Sequence, residues 1–156
     1  MKPDLCAIKR KSMNGDEVLY SETFTIHGND FEHGGEAATR VKAILKQLGV
    51  STGVIRRLSI ANFEAEMNVI MYAEEAVLRL EVLPDAVRVE IADRGQGIPD
   101  IDQAMQEGYS TATPEMRERG FGAGLGLPNI KKNSDVFEIS SMVGKGTTLR
   151  YSVRFS

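Results

Sequence analysis

The amino-acid sequence predicts an α+β fold, a two-layer α/β sandwich with one sheet and helices on one of its faces. Segments with alternating apolar residues pair as hairpins along the chain, whereas the segments with helical periodicity are grouped between them. The chain has 156 residues, 42% of them hydrophobic, which is enough for one domain with a substantial core.

The N-terminal part of the chain predicts a hairpin. Leu5–Arg10 and Val18–Ile26 flank Asn14-Gly15, a dipeptide that favours type I′ turns. The second segment alternates and is expected to be a half-buried strand. Its inward face comprises Val18, Tyr20, Phe24 and Ile26. The cluster Lys9-Arg10-Lys11 is interpreted as a solvated edge, with a nucleic-acid or membrane patch as the alternative.

Two helices are expected next. The first has an apolar stripe with a period of 3.6 residues and ends before Gly49, where a left-handed cap belongs. Its stripe comprises Ala37, Val41, Ile44, Leu45 and Leu48. The second helix begins after Ser51, whose side chain is expected to cap it, and continues to about Ala73. Its stripe comprises Val54, Leu58, Ala61, Ala65, Val69 and Tyr72.

Two further hairpins complete the predicted sheet. The first turns at Pro84-Asp85, and the second joins Val136–Ser141 to Thr148–Phe155 through Gly144-Lys145-Gly146. Their inward faces comprise Leu78, Leu80 and Val82; Val87, Val89 and Ile91; and Leu149, Tyr151, Val153 and Phe155. Between the hairpins, a long loop over Pro99–Gly120 precedes a helix that starts near Leu127. Loops of this length are usually functional lids or disordered segments.

Composition excludes several classes of function. Lys and Arg number 19 and Asp and Glu 22, so the net charge of −3 argues against a nucleic-acid binder that relies on bulk positive charge. Cys6 is the single cysteine, which excludes an internal disulfide framework and a cysteine zinc cluster, and two histidines make a histidine metal site unexpected. The sequence has no apolar run of roughly 18 residues and no secretory signal, so a cytoplasmic protein is expected.

Glu64 and Asn68 form the first candidate site. They project from one flank of the second helix's apolar stripe, one turn apart, at the rim of the core. A carboxylate and an amide oxygen so placed can bind Mg²⁺, and the carboxylate can also orient a water or accept a hydroxyl proton. The alternative is an ordinary exposed helix face.

The segment Asp93-Arg94-Gly95-Gln96-Gly97 directly follows an apolar strand. Its glycines allow a sharp turn and the close approach of a flat ligand, and the Asp93 carboxylate can accept a hydrogen bond from an exocyclic amine such as that of adenine. The alternative is a turn with structural glycines.

A run of alternate glycines, Gly120, Gly122, Gly124 and Gly126, leads into the predicted helix start near Leu127. Such a run exposes backbone N–H groups beside the positive end of a helix and indicates a phosphate cradle, with a flexible hinge as the alternative. It matches neither the G-x-G-x-x-G nor the Walker A fingerprint. The segment Gly144–Thr148 is an ordinary hairpin connection whose threonine hydroxyls can also reach a base edge.

These four segments, in this order, resemble the nucleotide-binding domain shared by DNA gyrase B, the Hsp90 chaperones, histidine kinases and MutL. The boxes of that family are E-x-x-x-N, D-x-G-x-G, G-x-G-x-G ahead of a helix, and G-x-G-T before the last strand. They are matched by Glu64 and Asn68; by Asp93, Gly95 and Gly97; by Gly122, Gly124 and Gly126; and by Gly144, Gly146 and Thr147.

Within the family, the single-domain form looks like the bacterial anti-sigma factor serine kinases and the stress-module switch kinases. The resemblance implies a Bergerat-type fold with a mixed, mainly antiparallel sheet, a domain over residues 18–156 with a lid at about 99–120, and an N-terminal extension over 1–17. It implies a protein serine kinase that uses ATP and Mg²⁺ to phosphorylate a STAS-domain, anti-anti-sigma-type protein and so regulates a sigma factor. The alternative is a nucleotide-gated anti-sigma binding module with little or no phosphotransfer.

The resemblance also implies roles for individual residues. Glu64 would be the general base, Asn68 would hold Mg²⁺, and Asp93 would bind the adenine amine with Thr147 or Thr148 assisting. Gly95 and Gly97 would let the base and sugar lie close to the backbone. The phosphates would be wrapped by Gly120, Gly122, Gly124 and Gly126.

Several features stay open in the sequence. A cation at the transferring phosphate is expected among Arg117, Arg119 and Lys131, and their spacing does not choose between them. A sigma factor, a phosphatase and a second copy of the chain remain open as further partners, whereas direct contacts with nucleic acid or a membrane are not expected.

Overall fold

The computed structural model describes residues 10–11, 17–109, 113–114 and 126–156. Its strands are β1 (Arg10–Lys11), β2 (Glu17–Val18), β3 (Tyr20–His27), β4 (Ala73–Val82), β5 (Ala86–Gly95), β6 (Val136–Met142) and β7 (Gly146–Arg154). Its helices are α1 (Glu36–Gln47), α2 (Thr52–Tyr72), α3 (Ile101–Ala104) and α4 (Gly126–Lys132), with a 3₁₀ turn at Phe31–His33. The predicted elements are therefore present in the predicted order. Among the described residues, no helix is both long and apolar enough to span a bilayer.

Five strands form one sheet in the order β3-β4-β5-β7-β6. Every pairing between these described strands is antiparallel, which confirms the mainly antiparallel sheet and gives no parallel pair within the described residues. Separately, β1 pairs with β2 so that Arg10 faces Val18. This pairing agrees with the predicted N-terminal hairpin, although its turn at Asn14-Gly15 and residues 5–9 lie outside the described part of the chain.

The core lies between one face of the sheet and the helices. Helix α2 packs against β3, β4, β5 and β7, and α1 packs against α2 and β3. The predicted inward residues that are buried are Val18, Phe24, Ile26, Leu78, Leu80, Val82, Val87, Val89, Ile91, Leu149, Tyr151 and Val153. Because each large apolar side chain contributes about 1.5–3 kcal/mol when fully buried, this alternation fixes which face of the sheet the helices cover.

Phe155 is an exception to the predicted pattern, since it is 38% exposed. Strand β7 ends at Arg154, which is paired with the first residue of β5, Ala86. The N–H of Phe155 instead donates to the carbonyl of Asp85 in the β4–β5 turn, at 3.0 Å. The chain leaves the sheet there, so the period of two no longer predicts the direction of the side chain.

Both main helices have the predicted apolar faces. Ala37, Val41 and Leu45 of α1 are buried, and Gly49 adopts a φ of +79° just after the helix. In α2, Ser51 occupies the N-cap position, but its side chain makes no capping hydrogen bond. The predicted boundary is therefore correct and the predicted capping contact is wrong.

Gly53, in the first turn of α2, provides a test of helix propensity. A Cβ added there would have no heavy atom within 4 Å, so Gly53→Ala is expected to stabilise the fold by about 0.5 kcal/mol, chiefly by restricting the unfolded chain. Urea unfolding measures the change. The matched control is Gly49→Ala, which also meets nothing within 4 Å but has a φ of +79° and is expected to destabilise by about 1 kcal/mol. Equal effects of the two substitutions would contradict the prediction.

Asp135 joins three elements just before β6. Its carboxylate accepts the backbone N–H of Arg154 at 2.7 Å and the guanidinium of Arg57 in α2 at 3.1 Å. The Arg154 N–H, and then the Arg57 guanidinium, lower the pKa of Asp135. Because the folded-state pKa lies below the unfolded value of about 3.9, the stabilisation is present above that value and is lost as the pH falls through the folded-state pKa.

We therefore expect Asp135→Asn to lower the free energy of unfolding by about 1 kcal/mol at neutral pH, a value reduced by the partial exposure of the pair. Urea unfolding at pH 7 and near pH 3 should show the difference from the unsubstituted protein shrinking on acidification. Asp85→Asn, in the exposed β4–β5 turn, is the control. A difference that does not change with pH would show that the carboxylate is not the stabilising group.

Candidate active site

Asp93 lies at the end of β5, beside the start of β7. Its side chain is half-buried, and its Oδ1 accepts the backbone N–H of Thr147 at 2.9 Å. Burial raises the pKa of the Asp93 carboxyl, and the hydrogen bond from Thr147 opposes that rise. A carboxylate accepts several hydrogen bonds, so the group can still receive an N–H donor from a ligand.

Glycines bring the segment after β5 into backbone contact with the β6–β7 hairpin. A Cβ at Gly146 would lie 2.1 Å from the carbonyl oxygen of Asp93, and a Cβ at Gly97 would lie 2.4 Å from that of Met142. A Cβ at Gly95 would lie 3.1 Å from the Cβ of Ala73. These glycines therefore let two segments of the protein's own chain pack closely, and their place beside a bound base and sugar stays a prediction.

Ser141, near the end of β6, connects the same two segments. Its Oγ accepts the N–H of Ile98 at 2.7 Å, lies 2.8 Å from the Oγ1 of Thr147, and donates to the carbonyl of Gly146 at 3.1 Å. This residue is not among those predicted from the sequence. The available signal was a serine at an inward position of a strand whose preceding inward positions, Phe137 and Ile139, are apolar.

Thr147 and Thr148 lie on opposite faces of the sheet. Thr147 is 9% exposed, whereas Thr148 pairs with Ala92 and Ser140 on the face away from the helices. Side chains alternate along a strand, so only one of two neighbouring threonines can face the site. The prediction that Thr148 belongs to the site is therefore wrong, and Thr147 alone lies beside Asp93.

Glu64 and Asn68 are half-buried on α2 and meet the start of α4. A Cβ at Gly126 would lie 3.3 Å from Asn68 Oδ1 and 3.4 Å from Glu64 Oε2. The last glycine of the predicted phosphate cradle therefore lies directly against the carboxylate and the amide. Because Gly126 has no side chain, α4 can begin beside these two oxygens.

The helix that carries Glu64 and Asn68 is joined to the end of the strand that carries Asp93 through Ala73. Helix α2 runs without a loop into β4 at Ala73, and Ala73 pairs with Gly95 at the end of β5. Asn68 lies about 7.5 Å along the helix from Ala73, at a rise of about 1.5 Å per residue. Asn68 therefore lies near the end of α2 that adjoins the end of β5 with Asp93, and Glu64 lies one helical turn farther from that end.

Other predicted site residues are placed less completely. Lys131 is exposed in the last turn of α4, at the opposite end of that helix from Gly126. Gly120, Gly122, Gly124, Arg117 and Arg119 lie outside the described residues, as do residues 110–112 and the rest of 115–120 in the predicted lid. Of that lid, the structure describes residues 99–109 and 113–114, which include α3.

Glu66, between the two candidate residues in sequence, has a different role. It is 2% exposed, and its carboxylate accepts the backbone N–H groups of Gly35, Ala37 and Ala38 at 2.9–3.3 Å. Burial raises its pKa, and these three hydrogen bonds oppose the rise. Glu66 thus satisfies the first N–H groups of α1 and fixes α1 to α2, which no sequence signal distinguishes from an exposed glutamate.

A second buried contact fixes α2 to the sheet. The hydroxyl of Tyr151 in β7 donates to Asn62 Oδ1 at 2.6 Å, and both residues are buried. Asn62 and Glu66 are one turn apart on α2, so polar contacts to β7 and to α1 hold the same face of this helix. The flank with Glu64 and Asn68 is thereby oriented toward α4.

Comparison with known proteins agrees with this geometry. The family model of the histidine kinase-like ATPase domain matches residues 29–153. Serine/threonine-protein kinase RsbT of Bacillus subtilis is 32% identical over 111 residues, which cover 69% of this chain and 77% of that protein. The anti-sigma F factor of Caldanaerobacter subterraneus is 33% identical over 119 residues, 73% of this chain and 80% of that protein. The chain therefore belongs to the histidine kinase-like ATPase domain family and binds ATP.

Proposed function

We propose that this chain is an ATP-dependent protein serine kinase of a bacterial partner-switching system. It phosphorylates a STAS-domain, anti-anti-sigma-type protein and thereby regulates a sigma factor. The observation that carries the proposal is the contact of Gly126 with Glu64 and Asn68, which puts a carboxylate beside the end of the glycine run. The similarity to a serine/threonine-protein kinase and to anti-sigma F factors supports the same function.

The nucleotide would bind between the helices and the end of the sheet. Asp93 accepts hydrogen bonds from the adenine amine, and Thr147 assists from the adjacent strand. The glycine run supplies backbone N–H groups to the phosphates, with Gly126 at its end. Arg117, Arg119 and Lys131 remain the candidates for the cation at the transferring phosphate.

The residues present fit a magnesium ion. Asn68 has an amide oxygen and Glu64 a carboxylate oxygen beside Gly126, and Mg²⁺ prefers oxygen ligands with few protein contacts. Asn68 would hold the ion, which when bound neutralises charge on the ATP phosphates. Phosphoryl transfer depends mainly on positioning and charge neutralisation, so this small set of groups suffices.

Glu64 acts on the partner's serine. Its carboxylate, half-buried at the rim of the core, accepts the hydroxyl proton as the serine oxygen attacks the terminal phosphorus. The bond from that phosphorus to the bridging oxygen breaks, and ADP leaves with the bond's electron pair. The proton on Glu64 then returns to solvent.

The domain extends over residues 18–156 in this proposal, with 1–17 as an N-terminal extension in the cytoplasm. A sigma factor, a phosphatase and a second copy of the chain are its further candidate partners.

A second function is favoured by the similarity to anti-sigma F factors. In that alternative, nucleotide controls binding to a sigma factor and phosphotransfer is slow or absent.

Phosphate transfer tests the proposal directly. The full chain is mixed with Mg-ATP and a STAS-domain protein from the same genome, and phosphoserine on the partner is measured by mass spectrometry. Asp93→Asn should weaken ATP binding at least tenfold by removing the carboxylate acceptor, whereas Asp85→Asn in the β4–β5 turn should not. ATP binding without transfer, together with nucleotide-dependent capture of a sigma factor, would establish the alternative.

A further inference from the structure

Ser141 has three hydrogen-bond partners, and their chemistry determines where its proton lies. A hydroxyl group has one hydrogen and two lone pairs. The Ile98 N–H, at 2.7 Å, donates to one lone pair, and the Gly146 carbonyl, at 3.1 Å, can only accept. The proton of Ser141 is therefore directed to Gly146, and one lone pair remains for the third partner.

That third partner is the hydroxyl of Thr147, 2.8 Å away. Either hydroxyl can be the donor at this distance, and the bond from Ser141 to the Gly146 carbonyl assigns that role to Thr147. The Thr147 oxygen is then left with lone pairs only. It lies beside the Asp93 carboxylate, a second acceptor that the Thr147 N–H contacts at 2.9 Å.

We propose that Ser141 is a positioning residue that sets the purine specificity of the site by making Thr147 a hydrogen-bond acceptor. This inference rests on the proposed function, in which Asp93 and Thr147 contact the base. Two neighbouring acceptors match a 6-amino purine, whose amine has two N–H donors. They oppose a 6-oxo purine, which presents an acceptor oxygen at that position.

The surrounding packing keeps the hydroxyl groups in this arrangement. Thr147 is 9% exposed, and at Gly97 and Gly146 the two segments are in such close backbone contact that an added Cβ would clash. The Gly144 N–H also donates to the Gln96 carbonyl at 2.8 Å, which holds the β6–β7 hairpin against the segment that follows β5. These contacts hold Ser141 and Thr147 in the positions from which the assigned hydrogen-bond directions follow.

The test measures the affinities of ATP and inosine triphosphate by calorimetry on the full chain. These nucleotides differ in the groups at ring positions 6 and 1. The unsubstituted protein should prefer ATP by well over tenfold, and Ser141→Ala should reduce this ratio roughly tenfold. The matched control is Ser140→Ala, the neighbouring serine on the opposite face of β6, which should leave the ratio unchanged. Ser141→Thr, which keeps the hydroxyl, should restore it.

A double-mutant cycle separates positioning from general destabilisation. If Ser141 acts through Thr147, the ratio for Ser141→Ala/Thr147→Val should equal that for Thr147→Val alone, since no hydroxyl is left to orient. Two outcomes would overturn the inference while leaving the ATP site intact. In one, the two substitutions lower the ratio of ATP to inosine triphosphate affinity independently, so that their effects multiply in the double variant. In the other, Ser141→Ala has the same ratio as Ser140→Ala. Failure of the unsubstituted chain to prefer ATP would overturn the proposed adenine contact as well.

Discussion

Glu64→Gln is expected to slow phosphate transfer to the partner's serine by about 10²- to 10⁴-fold while changing ATP affinity by no more than about twofold. Glutamine keeps the size of the side chain and an oxygen near Gly126 but cannot take up the hydroxyl proton. Glu64 lies at the rim of the core, and its Oε2 would be 3.4 Å from a Cβ added at Gly126. Glutamine can therefore replace glutamate there without a steric clash. Single-turnover transfer from labelled ATP and a separate calorimetric titration measure the two quantities.

A surface glutamate serves as the control for Glu64→Gln. The side chain of Glu74 is 79% exposed, and Glu74→Gln should affect neither rate nor binding. Loss of ATP binding in Glu64→Gln would mean that Glu64 holds the nucleotide or its metal rather than the serine proton. An unchanged transfer rate would remove Glu64 from the chemical step altogether.

Among the substitutions proposed here, Gly146→Ala is expected to have the largest effect on the fold and to abolish ATP binding. The added Cβ would lie 2.1 Å from the Asp93 carbonyl oxygen and 3.0 Å from its Oδ1, and the residue has a φ of +146°. Backbone atoms cannot yield as a flexible side chain can, so the β5–β7 contact must open. We expect a loss of about 3 kcal/mol or more in the free energy of unfolding.

Gly144→Ala separates backbone strain from the steric clash. Gly144 lies in the same hairpin with a φ of +81°, yet a Cβ there meets nothing within 4 Å. It should therefore cost only about 1 kcal/mol and leave ATP binding intact. Urea unfolding and nucleotide titration of both variants check this contrast, and similar results for the two would show that the contact with Asp93 is not what matters.

The fold was largely predictable because it rests on periodicity. The buried stripe of α1 and the inward faces of β4 and β5 follow directly from apolar spacing. Burial of apolar side chains at those positions stabilises the fold whichever element packs against them. Prediction failed where periodicity stops applying. Phe155 lies beyond the last paired residue of β7, and Ser51 occupies a cap position without making the capping contact.

The site was predictable in its motifs but not in its supporting contacts. Asp93 contacts Thr147, and Gly126 lies against Glu64 and Asn68, so residues of different boxes adjoin in pairs while their roles stay predictions. Ser141 and Glu66 act through backbone groups that are distant in sequence, at separations of 43 residues to Ile98 and 28 to Ala38, and no local pattern reports such pairs. Thr148 was misplaced because a motif alone does not state which face of a strand each residue occupies.

The position of β7 in the sheet, between β5 and β6, has a consequence for biosynthesis. Asp93 meets Thr147 only after the C-terminal strand has been translated and inserted beside β5, across a separation of 54 residues. Until then the nascent polypeptide exposes an open strand edge at β5 and lacks Thr147, the proposed partner of Asp93 in adenine binding. A ribosome-bound chain stalled before β7 should therefore fail to bind ATP.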